Sequence, residues 1–126
     1  MDQSQIILYI VIALIGLWYV RRTLSMRGIV NYTGAEARQR VKEGSVLLDV
    51  RTAQERSARS IPGSLHIPLQ ELGRRIKELE KHQGREIIAY CASGSRSVSA
   101  AMQLKRHGFA VGNLAGGIGA WRMGEK

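Results

Sequence analysis

The residues best placed to do chemistry lie between Glu86 and Arg106. A short apolar run, Ile87-Ile88-Ala89-Tyr90, leads into Cys91, the single cysteine of this 126-residue chain. A segment of small residues, Ala92-Ser93-Gly94-Ser95-Arg96-Ser97, follows, and a helical pattern begins after it. A thiol at the end of a strand, under a loop that turns into a helix N-terminus, meets backbone N–H groups and the positive end of a helix dipole. Such surroundings favour thiolate over thiol, and thiolate is the nucleophile. The pattern predicts group transfer by a cysteine nucleophile.

Other chemistries find less support. One cysteine excludes an intramolecular disulfide, and no cysteine or histidine cluster has metal-ligand spacing, so neither metal nor cofactor is expected. His66, His82 and His107 are scattered and read as surface or boundary residues. Gly112, Gly116, Gly117 and Gly119 do not match the dinucleotide fingerprint and are better assigned to turns and close packing. The formal charge is +9, and all nineteen Lys and Arg residues fall at or after Arg21. That field attracts small anions and anionic membrane surfaces. Nucleic acid is not an expected partner, since the basic residues are not interleaved with aromatics.

The elements that must position the thiol can be read along the chain. Ile29 to Tyr32 predicts a short edge strand, and Thr33-Gly34-Ala35-Glu36 has the form of a capping box opening a helix to Glu43, ended by Gly44. Val46 to Val50 is a continuous apolar run carrying Asp49, as in a buried parallel strand. Residues 51–60 predict irregular chain with one helical turn, followed by Ile61-Pro62-Gly63-Ser64 turn chemistry and a short strand over Leu65 to Ile67. Leu69, Leu72, Ile76 and Leu79 step by three and four, which predicts one amphipathic helix. Val98, Ala101, Met102 and Leu104 mark another, stopped by Gly108, and Phe109-Ala110-Val111 opens the last strand. This alternation of strand and helix predicts an α/β fold.

Ahead of these elements, Ile6 to Val20 carries no charge. Fifteen apolar residues fall short of the ~20 of a spanning helix. Ser4 and Gln5 extend the stretch, Trp18 and Tyr19 suit an interface, and Arg21 and Arg22 can snorkel outward. A secretory signal peptide needs a basic n-region and a small-residue cleavage site, and neither is present. A buried core helix fits poorly with apolarity on all sides ending in two arginines. An anchor contacting lipid through residues 4–22 is therefore expected, with residues 1–27 as anchor and linker and 28–126 as the second domain. Arg21, Arg22 and Arg27 follow the span and no basic side chain precedes it, which places the domain in the cytoplasm, facing inward from the inner membrane.

From about Ile29 to Arg122 the chain resembles a rhodanese homology domain. Asp49-Val50-Arg51 with Glu55 is similar to that family's Asp-x-Arg segment. Ile61-Pro62-Gly63-Ser64 with Ile67-Pro68 is similar to its Ile-Pro-Gly-Ala…Ile-Pro stretch. Cys91 to Ser97 resembles the active-site loop, and Leu114 to Trp121 the closing Gly-Gly-x-x-x-Trp motif. The resemblance implies a small, mostly parallel central sheet flanked by helices, here preceded by one transmembrane helix. It implies sulfurtransfer through a persulfide on Cys91, from a small anionic sulfur donor such as thiosulfate to an acceptor such as cyanide or a thiol. The amides of Ala92, Ser93, Gly94, Ser95, Arg96 and Ser97 would cradle the anion, with Arg96 binding an anionic donor and Ser97 also capping the helix. Asp49 and Arg51 would pair with each other or orient the loop, and Trp121 would pack. Arg59-Ser60 stand where the family often has Gly-His, and position 92 is Ala where Arg or an aromatic is common.

Two other functions use the same residues. Cysteine phosphatases place Cys and Arg one residue further apart than Cys91 and Arg96, and the loop here holds no acid to protonate a leaving alkoxide. A membrane-tethered persulfide carrier or non-catalytic interaction module needs only the pocket and the anchor. The N-terminal reading is checked by fractionating cells: the protein is expected to sediment with membranes, its C-terminus shielded from external protease. Recovery in the soluble periplasmic fraction would overturn it.

Overall fold

The computed structural model describes residues 1–26 and 28–123; Arg27 of the expected basic flank and residues 124–126 of the expected second domain lie outside the described residues. Five short strands form a single sheet: β1 (Val30–Tyr32), β2 (Val46–Asp49), β3 (Leu65–His66), β4 (Ile87–Tyr90) and β5 (Val111–Leu114). Their order is β1-β5-β4-β2-β3 and every pairing is parallel. Parallel strands need crossover segments, so helices cover both faces and the inner strands are largely buried and mostly apolar, with Asp49 in β2 and Asn113 in β5 as the polar exceptions. β4 is buried at every position and lies at the centre of the sheet, with Asp49 opposite Tyr90 and Ala89 opposite Asn113 in the register.

Side-chain alternation divides the core in two. Ile87, Ala89 and Cys91 point to one face, where they pack with Leu72, Leu79, Ala101 and Leu104. Ile88 and Tyr90 point to the other, with Tyr32, Leu114, Ile118 and Trp121. The first face is covered by α4 (Leu69–Arg75), a 3₁₀ segment (Ile76–His82) and α5 (Ser95–Arg106). The second is covered by α2 (Gly34–Lys42) and α6 (Gly117–Met123). These helices approach so closely that a Cβ at Gly34 would lie 2.4 Å from the carbonyl oxygen of Ala120.

The predicted α/β architecture is therefore observed, with three local differences. The expected single helix over Leu69 to Leu79 changes pitch: after Leu72 and Ile76, the step of three to Leu79 suits a 3₁₀ helix, in which residues i and i+3 share a face. The expected single helical turn within 51–60 is the six-residue α3 (Ala53–Ala58), which starts from a second capping box: Glu55 N–H donates to Thr52 Oγ1 at 3.1 Å and Thr52 N–H to Glu55 Oε1 at 3.2 Å. Phe109 is buried but precedes the last strand, which begins at Val111.

Ahead of the sheet, α1 runs Gln3–Met26. Within Gln3–Leu24 the most apolar window has mean hydropathy 1.8 and none of it is buried, so by length and composition this helix is long and apolar enough to cross a membrane. Arg22 stacks over Trp18 at 5.4 Å. Trp18, Arg21 and Arg22 border a groove with Met102 and Arg106, at the C-terminal end of α5. The core makes a direct stability prediction. Leu104 is fully buried between α5 and the sheet, so Leu104→Ala is expected to cost about 2–5 kcal/mol, measured as a lowered Tm of the full chain in detergent.

Candidate active site

Because all strands run the same way, the segments leaving β2, β4 and β5 emerge on one edge, where open parallel sheets bind ligands. Cys91 follows β4 directly and is fully buried. The chain then turns at Gly94, whose φ of +110° falls in the region glycine enters without a Cβ clash. This turn aims the Gly94 N–H at Cys91 Sγ, 3.0 Å away. Ser97 Oγ lies 3.4 Å from the same sulfur.

Burial pushes the Cys91 thiol up, but the Ser97 hydroxyl and the N–H groups of Ser97, Gly94 and Ser93 pull it down by more. The result lies below the ordinary thiol value, so the anion forms more readily here than on an ordinary cysteine even though the residue is fully buried. Of the expected cradle, Gly94 and Ser97 lie against the sulfur and the Ser93 N–H also acts on it, while Ala92, Ser93 and Ser95 are exposed residues that form the outer lip.

Ser97 does not cap the helix as expected. The N-cap of α5 is Gly94, and Ser97 sits inside the first turn. Its hydroxyl is turned inward because Asn113 Oδ1 on β5 accepts from it and Gly94 O lies 3.1 Å away. Asn113 Nδ2 in turn donates to Asn31 Oδ1 at 3.0 Å, which orients the amide. With one proton to give, the Ser97 hydroxyl serves Asn113, Gly94 or the sulfur at any moment.

The loop is also held from behind. Ile118 N–H donates to the Cys91 carbonyl at 3.0 Å. At Gly117 (φ +65°) a Cβ would sit 2.4 Å from the carbonyl oxygens of both Cys91 and Ala92. Of the closing motif's glycines, Gly117 thus serves close packing, and what it packs against is the cysteine loop itself.

Asp49 and Arg51 pair as expected. Arg51 Nε and Nη2 each donate to the Asp49 carboxylate at 3.0 Å, and Arg56 Nη1 adds a third contact at 3.3 Å. A buried carboxylate needs such partners. The same Arg51 Nη2 donates to the Arg59 carbonyl, fixing the end of α3. The Ile61–Ser64 turn is fastened to β4, since Tyr90 Oη accepts from Ile61 N–H at 3.2 Å and lies 2.8 Å from Ser64 Oγ.

Arg96 departs from its expected role. Its guanidinium donates to both oxygens of Glu55 at 2.7 and 2.9 Å, so its charge is matched within the protein. Arg96 holds the Glu55 carboxyl down at about 2. The stability this pair supplies is therefore complete above the ordinary carboxylate value and is lost as pH falls toward about 2. Glu55 was not expected in the site, although the Thr52-x-x-Glu55 spacing signals the helix that carries it. Asn113 had a fainter signal, one polar residue within an apolar strand. Beside the lip, a groove of about 460 Å³ is bordered by Ala92, Glu55, Arg59 and Ile118.

A family model described as Rhodanese-like domain matches residues 33–123. A sulfurtransferase of Allochromatium vinosum is 39% identical over 80 residues, covering 63% of this chain and 73% of that protein. A putative sulfur carrier protein of Bacillus subtilis, YrkF, is 42% identical over 76 residues, covering 60% of this chain and 40% of that longer protein. Among solved structures, a rhodanese-related protein of Thermoplasma volcanium superposes with TM-score 0.67 at 31% identity, covering 76% of this chain and 91% of that one.

The hydrogen bonds to Sγ set a pH dependence. Alkylation of Cys91 by iodoacetamide is expected to rise with pH and level off below the range of an ordinary thiol. Ser97→Ala removes a donor to the anion, so its profile is expected to shift to higher pH with an unchanged circular dichroism spectrum. A profile that did not move would remove Ser97 from the sulfur's environment.

Proposed function

Because the chain belongs to the rhodanese-like domain family, we propose that it is a sulfurtransferase moving sulfane sulfur from a donor such as thiosulfate to a thiophilic acceptor, through a persulfide on Cys91. The observation that carries this reading is the Gly94 N–H directed at a buried Sγ whose pKa is lowered. Cys91 thiolate attacks the outer sulfur of the donor. The donor's S–S bond breaks, and the remainder, sulfite in the case of thiosulfate, leaves with the bonding pair. Cyanide or a thiolate then attacks the outer sulfur of the persulfide. Its S–S bond breaks in turn, and Cys91 thiolate is restored. No external oxidant or reductant enters, and one difficult transfer becomes two easier ones.

In this reading the amides of residues 92–97 act as a preorganised anion hole for the thiolate and then for the terminal sulfur of the persulfide. Arg96, held by Glu55, shapes the loop rather than gripping the donor. Asp49 and Arg51 support the neighbouring segment. The same pairing argues against a phosphatase, which would need that guanidinium on the phosphate.

Residues 1–27 are proposed as a single-pass inner-membrane anchor and linker, and 28–126 as the domain facing the cytoplasm. The length and apolarity of Gln3–Leu24 support the anchor. Lipid contact through residues 4–22 would leave the C-terminal end of α5, beside Trp18 and Arg22, nearest the bilayer. The cysteine loop lies at the opposite end of that twelve-residue helix, about 18 Å away.

A persulfide carrier or non-catalytic interaction module is the second reading. The matching of Arg96 by Glu55 favours it, because it removes the loop's one side-chain cation for a small anion. The two readings separate by mass spectrometry after incubation with thiosulfate, then with cyanide. Transfer predicts one added sulfur on Cys91, its loss to cyanide with thiocyanate formed in repeated turnover, and neither event in Cys91→Ser. A persulfide that forms without turnover would select the carrier, and full thiocyanate production by Cys91→Ser would exclude both.

A further inference from the structure

The groove beside the cysteine loop does not end there. It shares Arg59 and Ile118 with a second groove of about 260 Å³, which continues past Pro62 to Trp121 and Arg122. Together they make one trough that starts at Ala92, on the lip of the loop, and runs along the α6 side of the sheet. Each part could hold several water-sized molecules at ~30 Å³ apiece, far more than cyanide or a small sulfur anion needs.

Two exposed cations stand over its apolar side chains, and the carboxylate on its border, Glu55, is matched by Arg96. Arg59 and Arg122 form no ion pair among the described residues, whereas Arg51, Arg56 and Arg96 are all matched by carboxylates. Both stand on fixed backbone. The Arg59 carbonyl is held by Arg51. Arg122 follows Trp121, whose carbonyl accepts from Arg38 and whose ring lies 4.9 Å beneath that guanidinium. Anchored backbone confines the freedom lost on binding to the two side chains, and their shared positive charge suits a partner of opposite charge.

We propose that this trough binds an acidic, extended segment of a protein partner, delivering that partner's thiol to Cys91. The exchange of sulfur rests on the persulfide reading, but the docking does not. The partner's carboxylates would meet Arg59 and Arg122 while its chain lies over Pro62 and Ile118. A protein segment, unlike a free anion, fills the whole trough.

The test separates the two parts. A fluorescein-labelled peptide of alternating Glu and Asp around a central Ser is titrated into the full chain in detergent micelles and followed by anisotropy. It is expected to bind at least tenfold more tightly than the Lys counterpart at low salt, and less tightly as salt rises. Arg59→Gln with Arg122→Gln is expected to abolish that preference. Lys77→Gln with Lys81→Gln, the same loss of charge on the opposite face, is expected to keep most of it. Equal binding of the two peptides, no binding of either, or equal losses in the two double variants would overturn the proposal. So would tighter binding of a single-stranded oligonucleotide of equal charge. Repeating the experiment with Cys in the peptide and a sulfur-loaded protein reads transfer. If the acidic peptide docks but Cys91 never takes up sulfur, the persulfide reading fails and the docking surface stands.

Discussion

A sulfur atom buried just past a central, fully buried strand is cut off from the bulk water that would solvate a negative charge. The main chain must do so, and much of the site's construction follows from that requirement. Gly94 turns its N–H inward to 3.0 Å from Sγ, which is possible because it lacks a side chain at φ +110°. The carbonyl on the other side of Cys91 then needs its own partner, which Ile118 N–H supplies at 3.0 Å. For Ile118 to reach it, Gly117 must lie against two carbonyl oxygens with no Cβ in between. Residues 91 and 117, far apart in sequence, are parts of one constraint.

Charge pairing builds the frame around this cradle. Asp49 is fully buried and would be costly to ionise alone; two arginines and the Arg51 N–H satisfy it. Through Arg51 the same network reaches the Arg59 carbonyl, and through Arg56 it reaches Ser64 O at 2.7 Å. Glu55, on the helix between them, reaches across to Arg96 on α5. A chain with +9 formal charge thus devotes three of its arginines to internal order. Others, such as Arg59, remain at the surface.

Much of this was readable from the residues. The apolar runs at Val46 and Ile87 had to be buried strands, Thr33 and Glu36 had the spacing of a cap, and Cys91 had to stand where strand meets helix. What escaped depended on how elements meet. Thr52 and Glu55 have the same capping spacing as Thr33 and Glu36, but no apolar step follows them to mark a helix. Arg96 and Glu55 are 41 positions apart, so their pairing depends on how α3 approaches α5. Ser97 looked like a cap because serine favours that place. In the fold, Asn113 and the sulfur draw its hydroxyl inward, and Gly94 takes the cap position.

The solitude of Cys91 carries a consequence for its upkeep. Enzymes with a neighbouring resolving thiol can discharge an adduct internally by closing a disulfide, but these 126 residues contain no second cysteine. On the proposed persulfide reading, sulfur or oxygen taken up by Cys91 would have to be removed by another molecule. The loop whose N–H groups lower the pKa of this thiol also buries it, and that burial limits the access of oxidants that would carry it past the sulfenic stage.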